Sequence, residues 1–342
     1  MKQAVPVHIL TGFLGSGKTT LLTQALDYYK SLGQKPAVLM NELGDVNLDG
    51  MMLGAEVPMS EMLGGCICCT IRGDLGMELK QLVDEHAPDV VFVECTGAAN
   101  PIEILDGVTD ASLLTAMELR SVVTVVDAAQ LSERSAKPKA KTFRLMEDQI
   151  RCATQLLLNK ADLVEPEELV RLEALLREWN PSAPIARTVK CAVDMSLFDR
   201  LSGRPDHRQL HESTAGDHIH SEACGHGEHC GHTHHDEKHG HDGHHHTHEH
   251  VMVYTHYFQT PIDSESFEAL IGKLPAQIYR AKGILRFTDT ISPFLFQYAY
   301  REMDFVKIAP KEEVPNVAVF IGEHFDKSEL VDELAKLEAQ QA

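Results

Sequence analysis

Four groups of residues have the types and spacing to do chemistry. The first is Gly12-Phe13-Leu14-Gly15-Ser16-Gly17-Lys18-Thr19, with Thr20 directly after it. It fills every position of the G-x-x-x-x-G-K-[ST] pattern. Glycines there let backbone N–H groups turn inward around a phosphate, and a following helix adds partial positive charge at its N-terminus. In such a loop Lys18 reaches the β- and γ-phosphates and the Thr19 hydroxyl ligates Mg²⁺. The second group is Gly64-Gly65-Cys66-Ile67-Cys68-Cys69-Thr70. Three thiols within four residues cannot all point into one core, and the two glycines predict a tight, exposed turn. Clustered thiolates suit Zn²⁺ or Cu(I), with a fourth position open to Glu42, Asp45, a histidine, water or a client ligand. A buried inert cluster or a redox pair is the alternative.

The third group is Asn159-Lys160-Ala161-Asp162, an N-K-x-D arrangement. The Asp162 carboxylate can accept from the N1 and N2 donors of guanine, a pair that adenine lacks, so it selects GTP. Lys160 is expected along the base plane, and Asn159 is expected to tie loops together. The fourth is the segment from His207 to His250, which holds 16 of the 20 histidines together with Cys224 and Cys230. It has no apolar face, so it reads as a disordered linker, and its imidazole density points to metal capture. Ni²⁺, Co²⁺ and Cu²⁺ suit imidazole as Zn²⁺ does.

The elements around these groups alternate. The apolar run through Val5, Val7, Ile9 and Leu10 predicts a strand entering the glycine loop. Leu21, Leu22, Ala25, Leu26 and Tyr29 recur at helical spacing after it. Strands are predicted at 36–40, 89–94, 120–127, 155–158 and 184–189, with helices around Leu75–Val83 and Leu169–Trp179. The pattern is α/β: a P-loop, doubly wound, mostly parallel sheet. Its strands end in polar loops, among them Asn41–Gly50, and ligands gather at that edge. From Val251 the chain reads as a smaller α+β domain, with strands at 251–258, 278–287, 295–300 and 317–321 and helices at 264–274 and 328–337. The expected division is residues 1–205, a metal-binding linker over 206–250, and 251–342. His256, His324, Cys95 and Trp179 are read as packing residues.

The chain has 342 residues, is 43% hydrophobic and carries a formal net charge of −20. That balance disfavours nucleic acid and anionic membrane as partners. No run of about 18 apolar residues predicts a membrane span. The start, Met1 to Pro6, runs straight into a strand rather than reading as a signal peptide, so the expected compartment is the cytoplasm. The eight cysteines are accordingly read as thiols or metal ligands rather than disulfides.

Glu94-Cys95-Thr96-Gly97 resembles the switch segment of P-loop GTPases, which implies that Glu94 acts on Mg²⁺ and that the Gly97 N–H meets the γ-phosphate. Taken in order, Gly12–Thr19, Asn41–Gly50, Gly64–Thr70, Glu94–Gly97 and Asn159–Asp162 resemble the CobW-type GTPases over the whole chain. Arg280-Ala281-Lys282-Gly283 is similar to the basic-glycine stretch of that family's C-terminal domain. Two departures stand out: Asp45 where glutamate is usual, and Lys190-Cys191-Ala192 where a glycine often lies near the guanine. The resemblance implies a GTP-hydrolysing metallochaperone using GTP and Mg²⁺, binding Zn²⁺ or a related metal, and serving a client metalloprotein, with a homodimer open. The alternatives are a metal-storage protein with a regulatory nucleotide site, or a maturation GTPase directed to cobalt, iron or nickel. A small-molecule P-loop kinase is a further rival that Asp162 argues against.

Overall fold

A computed structural model of the chain describes residues 4–42, 57–63, 70–135, 141–202, 251–299, 301–311 and 313–339. Strand β1 (Val5–Thr11) is buried along almost its whole length. A strand covered on both faces reads as a continuous apolar run rather than an alternating one. It passes through the glycine loop into α1 (Lys18–Ser31), whose Leu21, Leu22, Ala25, Leu26 and Tyr29 are all buried. Then come β2 (Pro36–Glu42), β3 (Met59–Leu63), α2 (Thr70–His86) and β4 (Val90–Cys95). Helix α3 (Pro101–Ala111) begins with the Asn100 side chain accepting from the Ile102 N–H and with Pro101 in its first turn. Both features suit a helix start, where the first N–H groups lack helical partners.

The remaining elements of this half are β5 (Met117–Asp127), α4 (Ala128–Ser135), α5 (Lys141–Arg151), β6 (Gln155–Asn159), α6 (Pro166–Trp179), β7 (Ile185–Arg187) and α7 (Leu197–Leu201). The seven strands pair in the order β3-β2-β4-β1-β5-β6-β7. Every pairing is parallel. Leu10, Phe92 and Val123 join α1 in one apolar cluster, while Val7, Val93 and Val122 join α2 and α3 in another. Helices therefore cover both faces, as the sequence predicts for a doubly wound sheet. Parallel pairing also places the carboxyl ends of β1, β4, β5 and β6 on one edge, and the neighbours of β1 come from opposite directions in the strand order.

Past the undescribed stretch, β8 (Val251–Tyr257), α8 (Ser264–Gly272), β9 (Ile278–Leu285), β10 (Phe294–Ala299), β11 (Glu302–Lys307), β12 (Val317–Glu323) and α9 (Lys327–Ala339) follow. Their strands form an antiparallel sheet, β11-β10-β9-β12-β8. Phe267 and Ile271 of α8 and Leu330, Leu334 and Leu337 of α9 pack with Phe296, Ala318 and Phe320. Ile284, Val317, Val319 and Ile321 instead join the α2–α3 cluster of the parallel sheet. The Tyr257 hydroxyl accepts from the Met117 N–H at 2.9 Å across the same boundary. Gly283 is needed at the β9–β12 pairing, since a Cβ there would lie 2.4 Å from the Val317 carbonyl oxygen. Strands β3 and β11 and helices α3, α4, α5 and α7 are absent from the sequence-based reading, and the predicted strand at 184–189 shortens to three residues. Among the described residues no helix is long and apolar enough to cross a membrane.

Candidate nucleotide site

Three glycines shape the loop after β1. Gly12, Gly15 and Gly17 have φ of 135°, 73° and 114°, values that a side chain strongly disfavours. Space adds to the constraint at Gly12, where a Cβ would lie 2.2 Å from the Val125 carbonyl oxygen. Lys18, buried, donates from Nζ to the carbonyl oxygens of Gly12 at 3.0 Å and Phe13 at 3.3 Å. Its ammonium is therefore held inside the loop. Thr19 Oγ1 donates to Glu94 Oε1 at 2.8 Å, joining the first turn of α1 to the end of β4. A hydroxyl and a carboxylate are hard oxygen donors of the kind Mg²⁺ takes. These groups line a cavity of about 390 Å³, together with Thr20, Thr96 and Gly97. Gly97 packs on the loop so closely that a Cβ would lie 2.4 Å from the Leu14 nitrogen. Cys95, also in the wall, is buried, and burial pushes its thiol up to about 12, so it stays protonated. That matches its reading as a packing residue.

The N-K-x-D segment meets the loop through Asn159. Its Nδ2 donates to the Ser16 carbonyl oxygen at 2.8 Å. Its Oδ1 accepts from the Cys191 N–H at 2.9 Å and from the Thr188 hydroxyl at 3.0 Å. The expected loop-tying role of Asn159 thus has a full set of bonds. Lys160 sits at φ 57° and pairs through Nζ with Asp127 at 2.6 Å. Asp127 is buried at the end of β5 and also accepts from the Gln130 N–H. Asp162 is exposed on a single 3₁₀ turn, Ala161–Leu163. Asn159, Lys160 and Asp162 do not line that cavity.

Lys190 and Cys191, where the sequence departs from glycine, have φ of 52° and 54°. The backbone takes the left-handed conformation that glycine favours, without a glycine. The Asn159 bond to Cys191, and a bond from Cys191 Sγ to the Gly17 carbonyl oxygen at 3.3 Å, hold it there. Burial pushes the Cys191 thiol up to about 11. Asp127, Gln130, Gln149 and Cys191 all support this edge and are missing from the sequence-based set of site residues. Of these only Asp127, a carboxylate closing the apolar run of β5, carries a signal in the sequence.

Cys66, Cys68, Cys69 and Asp45 lie outside the described residues, as does the side chain of Glu42 and the segment 206–250. Among the described residues no group of three His, Cys, Asp or Glu is placed to hold a metal. His256 packs on Phe258 and lies 3.4 Å from Glu338, the structural role expected of it. Trp179 packs edge-on against Phe143.

Residues 6–187, more than half of the chain, match the family described as CobW/HypB/UreG, nucleotide-binding domain. The chain belongs to that family. Residues 252–338 match the cobalamin synthesis protein CobW C-terminal domain. Among curated relatives of this CobW-type chain, the zinc-regulated GTPase metalloprotein activator 1 of Dictyostelium discoideum is 33% identical over 237 residues, covering 58% of this chain and 50% of that protein. The zinc chaperone YeiR of Escherichia coli K12 is 32% identical over 215 residues, covering 62% and 63%. The zinc chaperone CobW of a Sinorhizobium species is 26% identical over 252 residues, covering 64% and 71%. The match therefore spans only half the length of the Dictyostelium protein.

Proposed function

We propose that this CobW-type protein hydrolyses GTP and uses the cycle to bind zinc and hand it to a client metalloprotein. The observation that carries the nucleotide part is the Asn159 bridge. One side-chain amide ties the phosphate loop at Ser16 to the segment holding Lys160 and Asp162. A base reader and a phosphate cradle locked together fit one guanine nucleotide. In this reading Gly12, Gly15, Ser16, Gly17, Lys18, Thr19 and Thr20 cradle the phosphates, and Gly97 senses the γ-phosphate. Lys160 offers its stem to the base, and Asp162 accepts from guanine N1 and N2. Thr19 and Glu94 would hold Mg²⁺, which neutralises phosphate charge when bound. Lys18, Thr19 and Glu94 are the catalytic set, acting by charge stabilisation and positioning rather than covalent chemistry.

Zinc is the cargo. Its proposed ligands are Cys66, Cys68 and Cys69 with Glu42 or Asp45, and the 206–250 segment collects metal nearby. Two boundaries support the placement. Strand β2 ends at Glu42, and α2 begins at Thr70, directly after Cys69. The zinc-chaperone names of two of the relatives point the same way. The domain division, the cytoplasmic compartment and the absence of nucleic-acid and membrane partners belong to the same proposal.

The test measures zinc affinity by chelator competition on protein lacking residues 206–249, with GDP and then with a non-hydrolysable GTP analogue. A nucleotide-dependent difference of about 5–150-fold is expected, the usual size of a coupling. Cys66→Ser/Cys68→Ser/Cys69→Ser should remove the difference and leave nucleotide binding intact. Equal zinc affinity in both nucleotide states refutes nucleotide-controlled release.

A further inference from the structure

Gln149 lies on α5, far in sequence from the phosphate loop, and is 1% exposed. Its neighbours on that helix, Phe143, Met146 and Ile150, are core residues. A buried amide in such a place costs free energy unless its hydrogen bonds are made. Its amide N–H groups find their partners in one segment. Gln149 Nε2 donates to the Gly97 carbonyl oxygen at 3.3 Å and to the Ala99 carbonyl oxygen at 3.4 Å. Its own backbone carbonyl accepts from Thr124 Oγ1 at 2.9 Å, which anchors the residue to β5. On the opposite side Gly97 is pressed on Leu14 of the phosphate loop. Gly97 is thus clamped between the loop that would hold the phosphates and an amide anchored on the next strand but one. The bonds to the Gly97 and Ala99 carbonyls fix the peptide planes that follow those residues, and so hold the turn that carries the Gly97 N–H.

We infer that Gln149 is a positioning residue for γ-phosphate recognition, holding the Gly97–Ala99 turn so that the Gly97 N–H faces the terminal phosphate. The inference rests on the guanine-nucleotide reading of this cavity. Its consequence is selective. Gly97 concerns the γ-phosphate, so losing the clamp weakens triphosphate binding and turnover while sparing the diphosphate, whose contacts lie in the glycine loop.

The experiment uses the full chain and two substitutions. Gln149→Met keeps the volume and removes both donors. Gln149→Glu keeps length and polarity but turns an acceptor toward the two carbonyls, and it replaces the first variant if that one fails to fold. The probes are GDP and a β,γ-imido GTP analogue, titrated with Mg²⁺ by calorimetry, alongside phosphate-release kinetics. Either variant should lose about tenfold in affinity for the analogue, the value of two lost hydrogen bonds, with GDP affinity unchanged and kcat for GTP reduced. A parallel fall for GDP and the analogue assigns Gln149 a purely structural role and overturns the inference, as does no change for either. Wild-type protein that binds neither probe overturns the nucleotide reading itself, a result distinct from any behaviour of the variants.

Discussion

Two cavities spend their polar groups differently. The one at the phosphate loop, about 390 Å³, is built on loops between parallel strands and helices. Glycines at positive φ bend its backbone, and the Lys18 ammonium rests on carbonyl oxygens of the loop. The other, about 550 Å³, lies between α3 and strands β9 and β10. There the charged groups sit on regular elements and close on one another. Arg280 Nη1 lies 2.9 Å from both carboxylate oxygens of Asp106, which is 2% exposed. Lys282, also buried, bonds the Asp106 carbonyl oxygen at 3.0 Å and pairs with Asp110. The larger cavity is thus a joint between the two sheets, whereas the smaller one presents its groups to a ligand. Size alone ranks them the wrong way round; the chemistry of the walls decides.

Breaking each cavity should therefore have separate effects. Lys18→Ala removes the cation at the phosphate cradle. Such contacts are worth about 10²–10³ in rate, so GTP turnover in a phosphate-release assay should fall by at least that much with the melting temperature kept. Unchanged turnover would remove the P-loop assignment. Asp106→Ala leaves Arg280 without its buried carboxylate, while Lys282 keeps Asp110 and the backbone carbonyl of residue 106. A loss of about 3 kcal/mol in denaturant unfolding is expected, at the low end for a broken buried pair because the Arg280 side chain is 39% exposed. Nucleotide affinity should hold. A stability change too small to measure would mean the joint is not stapled by these charges.

The smallest effect concerns pH. Burial pushes the Lys282 ammonium below its ordinary pKa, against the opposing pull of Asp110 and Asp106. The folded state thus releases its proton at lower pH than the unfolded chain does. The resulting contribution is fully present above the ordinary lysine pKa and is lost as pH falls from there toward the depressed folded value. Between those limits wild type should gain stability with rising pH relative to Lys282→Met, measured by urea midpoints in the alkaline range. Parallel curves for the two proteins would show that Lys282 keeps an ordinary proton affinity.

The ligand cavity was more legible in the sequence than the joint. Gly12–Thr19 and Asn159–Asp162 are local patterns whose spacing already states their chemistry. The apolar runs of β1, β4, β5 and β6 announce a covered parallel sheet, which alone brings those patterns to one edge. Asp106 and Arg280 are 174 residues apart and Gln149 is 52 from Gly97, so no window of sequence contains either contact. Strand β11, Glu-Met-Asp-Phe-Val-Lys, is largely exposed and alternates over its first four residues only; pairing with β10 makes it a strand. Lys190 and Cys191 hide a glycine-like turn behind ordinary side chains, because the bonds that hold it come from Asn159 and Gly17.

On the proposed function one guanine nucleotide binds at the β1–β4–β6 edge and nowhere along the joint. Titration of the full chain with a fluorescent GDP derivative, followed by competition with GTP and ATP, tests it directly. One equivalent should bind, with GTP displacing it about a hundredfold better than ATP, the value of two hydrogen bonds to a carboxylate. Binding should disappear in Lys18→Ala and persist in Asp106→Ala. Equal displacement by ATP, or binding that survives Lys18→Ala and is lost in Asp106→Ala, would contradict the account.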